Sequence, residues 1–298
     1  MDRSIAQYQK AFNDILEKLK SNDHVLAVMV FGSMVTGDLW EESDIDIFVI
    51  MGKAPFQIKN IYTEENGIEI HIKLMSKEKF LQLHESDLRG GFIHRIFASS
   101  RLVFSKDLEV TTKYNNGRYY PDVDKERWNL VYLGNVIKNI GLCKKYIAND
   151  SIYTAYSLCV RCIEEYAKLY VNSSGYMISK DAMSMAMDMS DDFKDCVEKL
   201  FFKSEHSGES LQGTVSFIQN SVNKNLKSYI SLLLNFMKDR DGFLSAEDIR
   251  IDDLFNCFDI DFEEILNYLF KSNIVKKEKR DYKDNVGVEL IKENVYFV

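Results

Sequence analysis

The sequence predicts an α+β chain in which a mixed sheet with flanking helices comes first, a helical bundle follows, and three helices with a hairpin close the chain. Short β-branched runs, "HVLAVMVF", "DIDIFVI" and "GIEIHIKLM", fall within the first 110 residues. From Trp128 apolar residues recur at helical spacing over long stretches. Residues 236–298 return to short helices and two polar strands.

A chain of 298 residues exceeds what one small core needs, so several domains are expected. The pattern divides it into an α/β unit over 1–110, a linker over 111–127, a helical domain over 128–235 and a closing unit over 236–298. Hydrophobic residues at 46% and charged residues at 28% are ordinary for a soluble globular protein. No run approaches the roughly 18 apolar residues of a membrane span, so no membrane partner is expected. The opening "MDRSIAQYQKAFNDILEKLK" has neither the apolar core nor the cleavage site of a secretory signal, which predicts a cytoplasmic location. A net charge of −8 weighs against a protein whose main task is coating nucleic acid and leans toward a cationic partner.

Taken in order, residues 4–20 read as an amphipathic helix and 24–31 as a fully buried, valine-rich strand. A turn and a short helix follow Gly32 and Ser33. In the strand 44–50, Asp44, Asp46 and Phe48 share one face, with Ile45, Ile47 and Val49 on the other. In the strand 67–75, Ile68, Ile70, Ile72 and Leu74 point inward, opposite Glu69, His71 and Lys73. A helix over about 76–87, a short one near 91–99 and the strand "RLVFS" complete the unit. The segment 111–127 is polar, holds one of the two prolines and has no sustained period, so it reads as the linker.

The bundle comprises "WNLVYLGNVIKNIGLCKKYIA", "SIYTAYSLCVRCIEEYAKLYVN", a methionine-rich stretch over 177–189 that reads as adaptable core filler, "DDFKDCVEKLFF" and roughly 211–238. Beyond it, the capped helix at "SAEDI", the helix "DFEEILNYLFKSN" and two strands suggest a winged helix. Six of the thirteen residues 271–283 are basic, a possible contact with DNA. Cys143, Cys159, Cys162, Cys196 and Cys257 read as structural thiols, because no second cysteine or histidine pair stands at zinc spacing. His24, His71, His84, His94 and His206 are scattered and read as surface or capping residues.

The chemistry concentrates in "FGSMVTGDLWEESDIDIFVI". A Gly-Ser turn leaving a strand and opening a helix presents backbone N–H groups and a hydroxyl, a phosphate cradle built on Gly32 and Ser33. Asp44 and Asp46 point the same way with Cα atoms about 6.6 Å apart, a span that suits one or two hard cations such as Mg2+. Bare carboxylates on an apolar strand repel each other and lose hydration, a cost that metal ions carrying a nucleoside triphosphate offset. Glu69 is the expected third carboxylate, chosen over Glu64 and Glu65, which are expected in the preceding turn.

With Gly32, Ser33, Asp44 and Asp46 in that arrangement, "GSMVTGDLWEESDID" resembles the signature of the nucleotidyltransferase superfamily that includes DNA polymerase beta, over residues 24–75. The resemblance implies a catalytic mixed-sheet domain in which Ser33 holds the triphosphate while Asp44, Asp46 and Glu69 bind two magnesium ions for in-line displacement. Length and layout look like the aminoglycoside nucleotidyltransferases, in which a helical domain completes the substrate cleft. "VRCIEEYAKLYVN" is similar to the helix that carries the general base of the kanamycin-type enzymes, which implies that role for Glu165. The activity so implied moves a nucleoside monophosphate, AMP first among them, from the triphosphate to an acceptor hydroxyl, such as that of a small aminoglycoside-like molecule, releasing pyrophosphate. The alternative is a nucleotide-sensing regulator or antitoxin-like protein whose winged helix binds DNA through 271–283.

Overall fold

The computed structural model describes residues 4–54, 58–82, 92–178, 181–202, 207–240, 242–283 and 288–298. The chain divides into two compact units, Met1–Pro121 and Asp122–Val298.

The first unit is a five-stranded mixed sheet with helices on both faces. Helix α1 (Ile5–Lys20) buries Tyr8, Ala11, Phe12 and Leu16, the stripe that its 3.6-residue period aligns. Strands β1 (Val25–Phe31), β2 (Ile45–Met51), β3 (Ile58–Glu65), β4 (Ile68–Ser76) and β5 (Arg101–Ser105) lie in the order β3-β4-β2-β1-β5. β2 runs parallel to β4, and the other neighbours pair antiparallel. One face, with Val28, Val30, Ile45, Ile47, Ile70 and Ile72, packs on α1. The other, with Ala27, Met29, Ile50 and Met75, meets Phe80 of α3 (Lys77–Leu81), Phe97 of α4 (Phe92–Ser99), and Val110 and Tyr114 of α5 (Leu108–Asn116). Residues 83–91, over which the helix expected at 76–87 would continue, lie outside the described residues.

Two expectations about this unit change. Glu64 and Glu65 end strand β3 rather than lying in a turn. β3 is an edge strand with mostly exposed side chains, so it lacks the alternating apolar face that marks a strand in sequence. Its hairpin with β4 turns at Asn66 and Gly67, both at positive φ, as the Asn-Gly pair favours. The segment 111–127 is largely helical: α5 covers its start, and α6 (Asp122–Ala148) begins just after Pro121. Asp107 caps α5 by accepting from the Val110 N–H, so the helix nucleates on a cap rather than on an apolar stripe.

The second unit packs α6, α7 (Ile152–Ser173), α8 (Ala182–Met189), α9 (Asp191–Phe202) and α10 (Ser207–Tyr229) around a core. Helix α11 (Ser231–Asp239) follows a break at Ile230, and α12 (Ala246–Arg250), α13 (Phe262–Lys271) and the hairpin β6 (Lys276–Lys283) and β7 (Glu289–Phe297) close the chain. Leu244 exchanges two backbone hydrogen bonds with Tyr296, tying β7 to the segment before α12. One hydrophobic cluster runs through the bundle and these last elements, joining Leu130 and Ile163 to Ile249, Phe255, Leu266 and Tyr296. Cys143, Cys159, Cys162 and Cys196 are buried thiols, and Met183, Met185 and Met187 pack against this core. Among the described residues, no helix is long and apolar enough to cross a membrane.

Candidate active site

Three rows cross the second face of the sheet, read along β1, β2 and β4. Ala27 pairs with Ile50 and Ile50 with Met75, a row buried under the helices. Met29, Phe48 and Lys73 form the next, and Phe31, Asp46 and His71 the one beyond. The face thus passes from apolar and covered to polar and open as β2 runs back toward its start. Phe31 stacks on Phe48 with ring centroids 4.7 Å apart, and the Lys73 ammonium lies 5.6 Å from the Phe48 ring. This aromatic pair separates the covered row from the acids.

Asp44 and Asp46 are therefore half-buried at the open end, with side chains 34% and 24% exposed. That exposure removes most of the desolvation cost expected of acids on a buried strand, and leaves positions open for ligand atoms. His71 Nδ1 lies 2.8 Å from Asp44 Oδ2 and 3.8 Å from Asp46 Oδ1. Tyr62, opposite His71 on β3, sets its ring edge-to-face against the imidazole at 4.8 Å. One ligand atom from each of Asp44, Asp46 and His71 lies within 4.8 Å of the others. Two carboxylates and an imidazole at that spacing fit a divalent cation.

The turn before the site is shaped around Asp46. Gly32 has φ +72°, and a Cβ built there would lie 2.6 Å from Asp46 Oδ2. Only glycine lets the backbone pass the carboxylate so closely. Ser33 opens the single turn α2 (Ser33–Thr36), where the first N–H groups have no carbonyl behind them within the turn. Its hydroxyl donates to the Asp44 carbonyl at 3.3 Å, linking the Gly-Ser turn to the start of β2. The loop between them is held from below: Tyr8 of α1, almost fully buried, donates its hydroxyl to the carbonyls of Trp40 at 2.8 Å and Ser43 at 2.9 Å.

Glu69 is the third donor the sequence predicts, and the side chain the sheet brings to both aspartates is His71. Glu69 is exposed two residues earlier on the same face of β4 and is not among the mutually close ligand atoms. The choice between them rests on the β2–β4 register, which pairs Asp46 with His71. Glu165 lies on α7 in the second unit, where its Oε2 accepts from Asn135 at 3.0 Å and its Oε1 pairs with Lys168 at 2.6 Å. The basic hairpin is interleaved with acids. Arg280 bridges Asp248 and Glu293 at 2.7 and 2.8 Å, Lys292 pairs with Asp281, and Lys277 lies over the Phe270 and Tyr296 rings.

Residues 13–109 match the family model described as polymerase beta, nucleotidyltransferase. No curated protein matches the sequence significantly. Among solved structures, that of a nucleotidyltransferase-like protein from Exiguobacterium sibiricum 255-15 superposes with a TM-score of 0.65 at 12% identity, covering 97% of this chain and 99% of that one. At that identity the likeness is one of fold. Fold, family match and donor cluster together support a nucleotidyltransferase-like catalytic capability with a candidate metal-binding triad.

Proposed function

We propose, for a chain whose N-terminal unit has a nucleotidyltransferase-superfamily fold, that it transfers a nucleoside monophosphate from a nucleoside triphosphate to an acceptor hydroxyl. The observation that carries this reading is Gly32 packed against Asp46 beside a half-exposed donor cluster, because it sets a phosphate-accepting turn next to a cation site. The acceptor oxygen attacks the α-phosphorus, the bond from that phosphorus to the bridging oxygen breaks, and pyrophosphate leaves with the bonding electrons. A divalent cation held there would supply charge neutralisation on the triphosphate and lower the pKa of the acceptor hydroxyl.

In this reading, the Ser33 N–H, with a hydroxyl that would turn from the Asp44 carbonyl, holds the outer phosphates, and Asp44 and Asp46 would hold the metal. Glu69 stands on the same face, where it would serve a second ion. Glu165, on α7 of the second unit, is the residue we assign to the acceptor's proton. ATP is the donor we assign first, and a small molecule the acceptor.

The test incubates the protein with labelled ATP, Mg2+ or Mn2+ and a panel of acceptors bearing hydroxyls. Transfer should appear with release of pyrophosphate and fall at least about a hundredfold in Asp44→Asn and in Asp46→Asn. Glu165→Gln should slow transfer with triphosphate binding unchanged. Transfer that survives both aspartate changes would remove the site, and transfer indifferent to Glu165→Gln would remove the base.

A further inference from the structure

The donor set on β2 and β4 departs from an all-carboxylate site in one respect: its third member is an imidazole. His71 sits on the strand that runs parallel to β2, in register with Asp46, and turns Nδ1 rather than its outer edge toward the aspartates. The ring is held in that orientation. Tyr62 packs edge-on against it from β3, and Asp44 Oδ2 lies 2.8 Å from Nδ1. With Asp46 Oδ1 3.8 Å from the same nitrogen, both carboxylates stand within reach of one cation held on Nδ1. Ligand atoms around a six-coordinate dication lie about 3 Å apart for neighbours and about 4.3 Å for opposite positions. Donors already within 4.8 Å of one another need only small side-chain rotations to reach that arrangement.

Donor type decides which cation gains from it. Carboxylate, water and phosphate oxygens serve Mg2+ and Mn2+ alike, whereas imidazole nitrogen favours first-row transition metals over Mg2+, which keeps its water shell and gains little from nitrogen. We propose that His71 is a metal ligand of this site and that it makes the site select Mn2+, or a similar first-row transition-metal dication, over Mg2+. The inference rests on the metal-dependent reading of the site given above, but on no assumption about the acceptor or the donor nucleotide. Manganese is the probe chosen, because two of the three donors are carboxylates. It accepts oxygen and nitrogen ligands in octahedral geometry, and later first-row dications, which bind a given nitrogen–oxygen site more tightly, would use the same three donors.

The experiment uses the full chain and the metals alone, with no nucleotide present. Mn2+ binding is followed by the loss of the free-ion electron paramagnetic resonance signal, and Mg2+ binding by competition against it. Pulsed spectra of bound Mn2+ should carry the nitrogen coupling of an imidazole, which changes character when the protein is grown with [15N]histidine. In His71→Asp, which restores a third carboxylate at a partly exposed position, the coupling should vanish and the Mn2+/Mg2+ affinity ratio should fall by about tenfold. Absence of imidazole coupling in the unsubstituted protein overturns the ligand assignment without reliance on any variant. Coupling that persists in His71→Asp places the metal on another histidine and overturns it equally, and an unchanged affinity ratio overturns the selectivity. A failed acceptor screen leaves all three readouts intact, so the two readings fail separately.

Discussion

Gly32 fixes the tolerance of the site more tightly than the charged residues do. At φ +72° any L side chain is strained, and a Cβ would meet Asp46 Oδ2 at 2.6 Å, too close unless the carboxylate moves. Gly32→Ala should therefore cost about 1–3 kcal/mol in stability and displace Asp46 from the donor cluster. Denaturant unfolding and Mn2+ titration read the two effects, and a variant with unchanged metal affinity would show that Asp46 does not depend on the turn. Gly32, Ser33, Asp44 and Asp46 were legible as a group because their spacing is local to one strand-turn-strand stretch. His71 was not. In sequence it is one of three outward residues on an alternating strand, with Glu69 and Lys73, and nothing local says which of the three faces Asp46. That is decided by the parallel register of β2 on β4, a contact between segments whose side chains alone do not specify it.

At the scale of elements, the helices that close the first unit rest on caps and charge pairs as well as on apolar faces. Asp107 accepts from the Val110 N–H at 3.1 Å and pairs with Lys77 at 2.7 Å, so it joins α5 to α3. The hydrogen bond from Lys77 holds the Asp107 carboxyl below its ordinary value of 3.8, and the bonds to Asp107 and Glu109 hold the Lys77 ammonium above 10.5. A depressed acid contributes stability that is complete above its unfolded value and is lost as pH falls through the folded one. A raised ammonium contributes in full below its unfolded value and is lost as pH rises through the folded one. Stability from this pair should be level between about pH 4 and pH 10 and decline on both sides. Asp107→Asn keeps a cap but loses the charge. It should flatten the acid-side slope of a stability–pH curve, and a variant with the parent slope would assign that slope to other carboxylates. This helix escaped sequence reading because its start is a single aspartate in a polar stretch. Strand β3 escaped because an exposed edge needs no apolar alternation, although the Asn-Gly turn that follows it was a usable signal.

For the whole molecule, the decisive fact is the number of cores. The first unit has two clusters, one on each face of its sheet, and the second has a single cluster that runs from α6 to β7. The residues beyond 235 supply Ile249, Phe255, Phe262, Ile265, Leu266 and Leu269 to it, all at most 2% exposed. At about 1.5–3 kcal/mol for each large apolar side chain, these six contribute about 9–18 kcal/mol, comparable to the roughly 5–15 kcal/mol that typically separates folded from unfolded chains. A chain ending at residue 235 should therefore lose cooperative melting of its bundle helices. A helical circular-dichroism signal that melts at the parent temperature would show that the closing elements are an independent domain. The sequence revealed the change from sheet to bundle because hydrophobic periodicity changes there. It concealed the continuity of the bundle with the closing helices, because both sides of that junction are helical and the shared core is formed by residues far apart in the chain.

Asp44 and Asp46 stand at the start of β2, and His71, 25 residues beyond Asp46 along the chain, is brought to them only by the pairing of β4 on β2. No unfolded conformation holds the three donors together for long, so the ordered sheet offers a cation its ligands and the disordered chain scarcely does. By mass action, a cation at about a hundredfold above its Kd would add about 2.7 kcal/mol to the stability of the first unit. On the proposed reading, such a cation would be part of what keeps the sheet closed, and its removal would leave a looser protein.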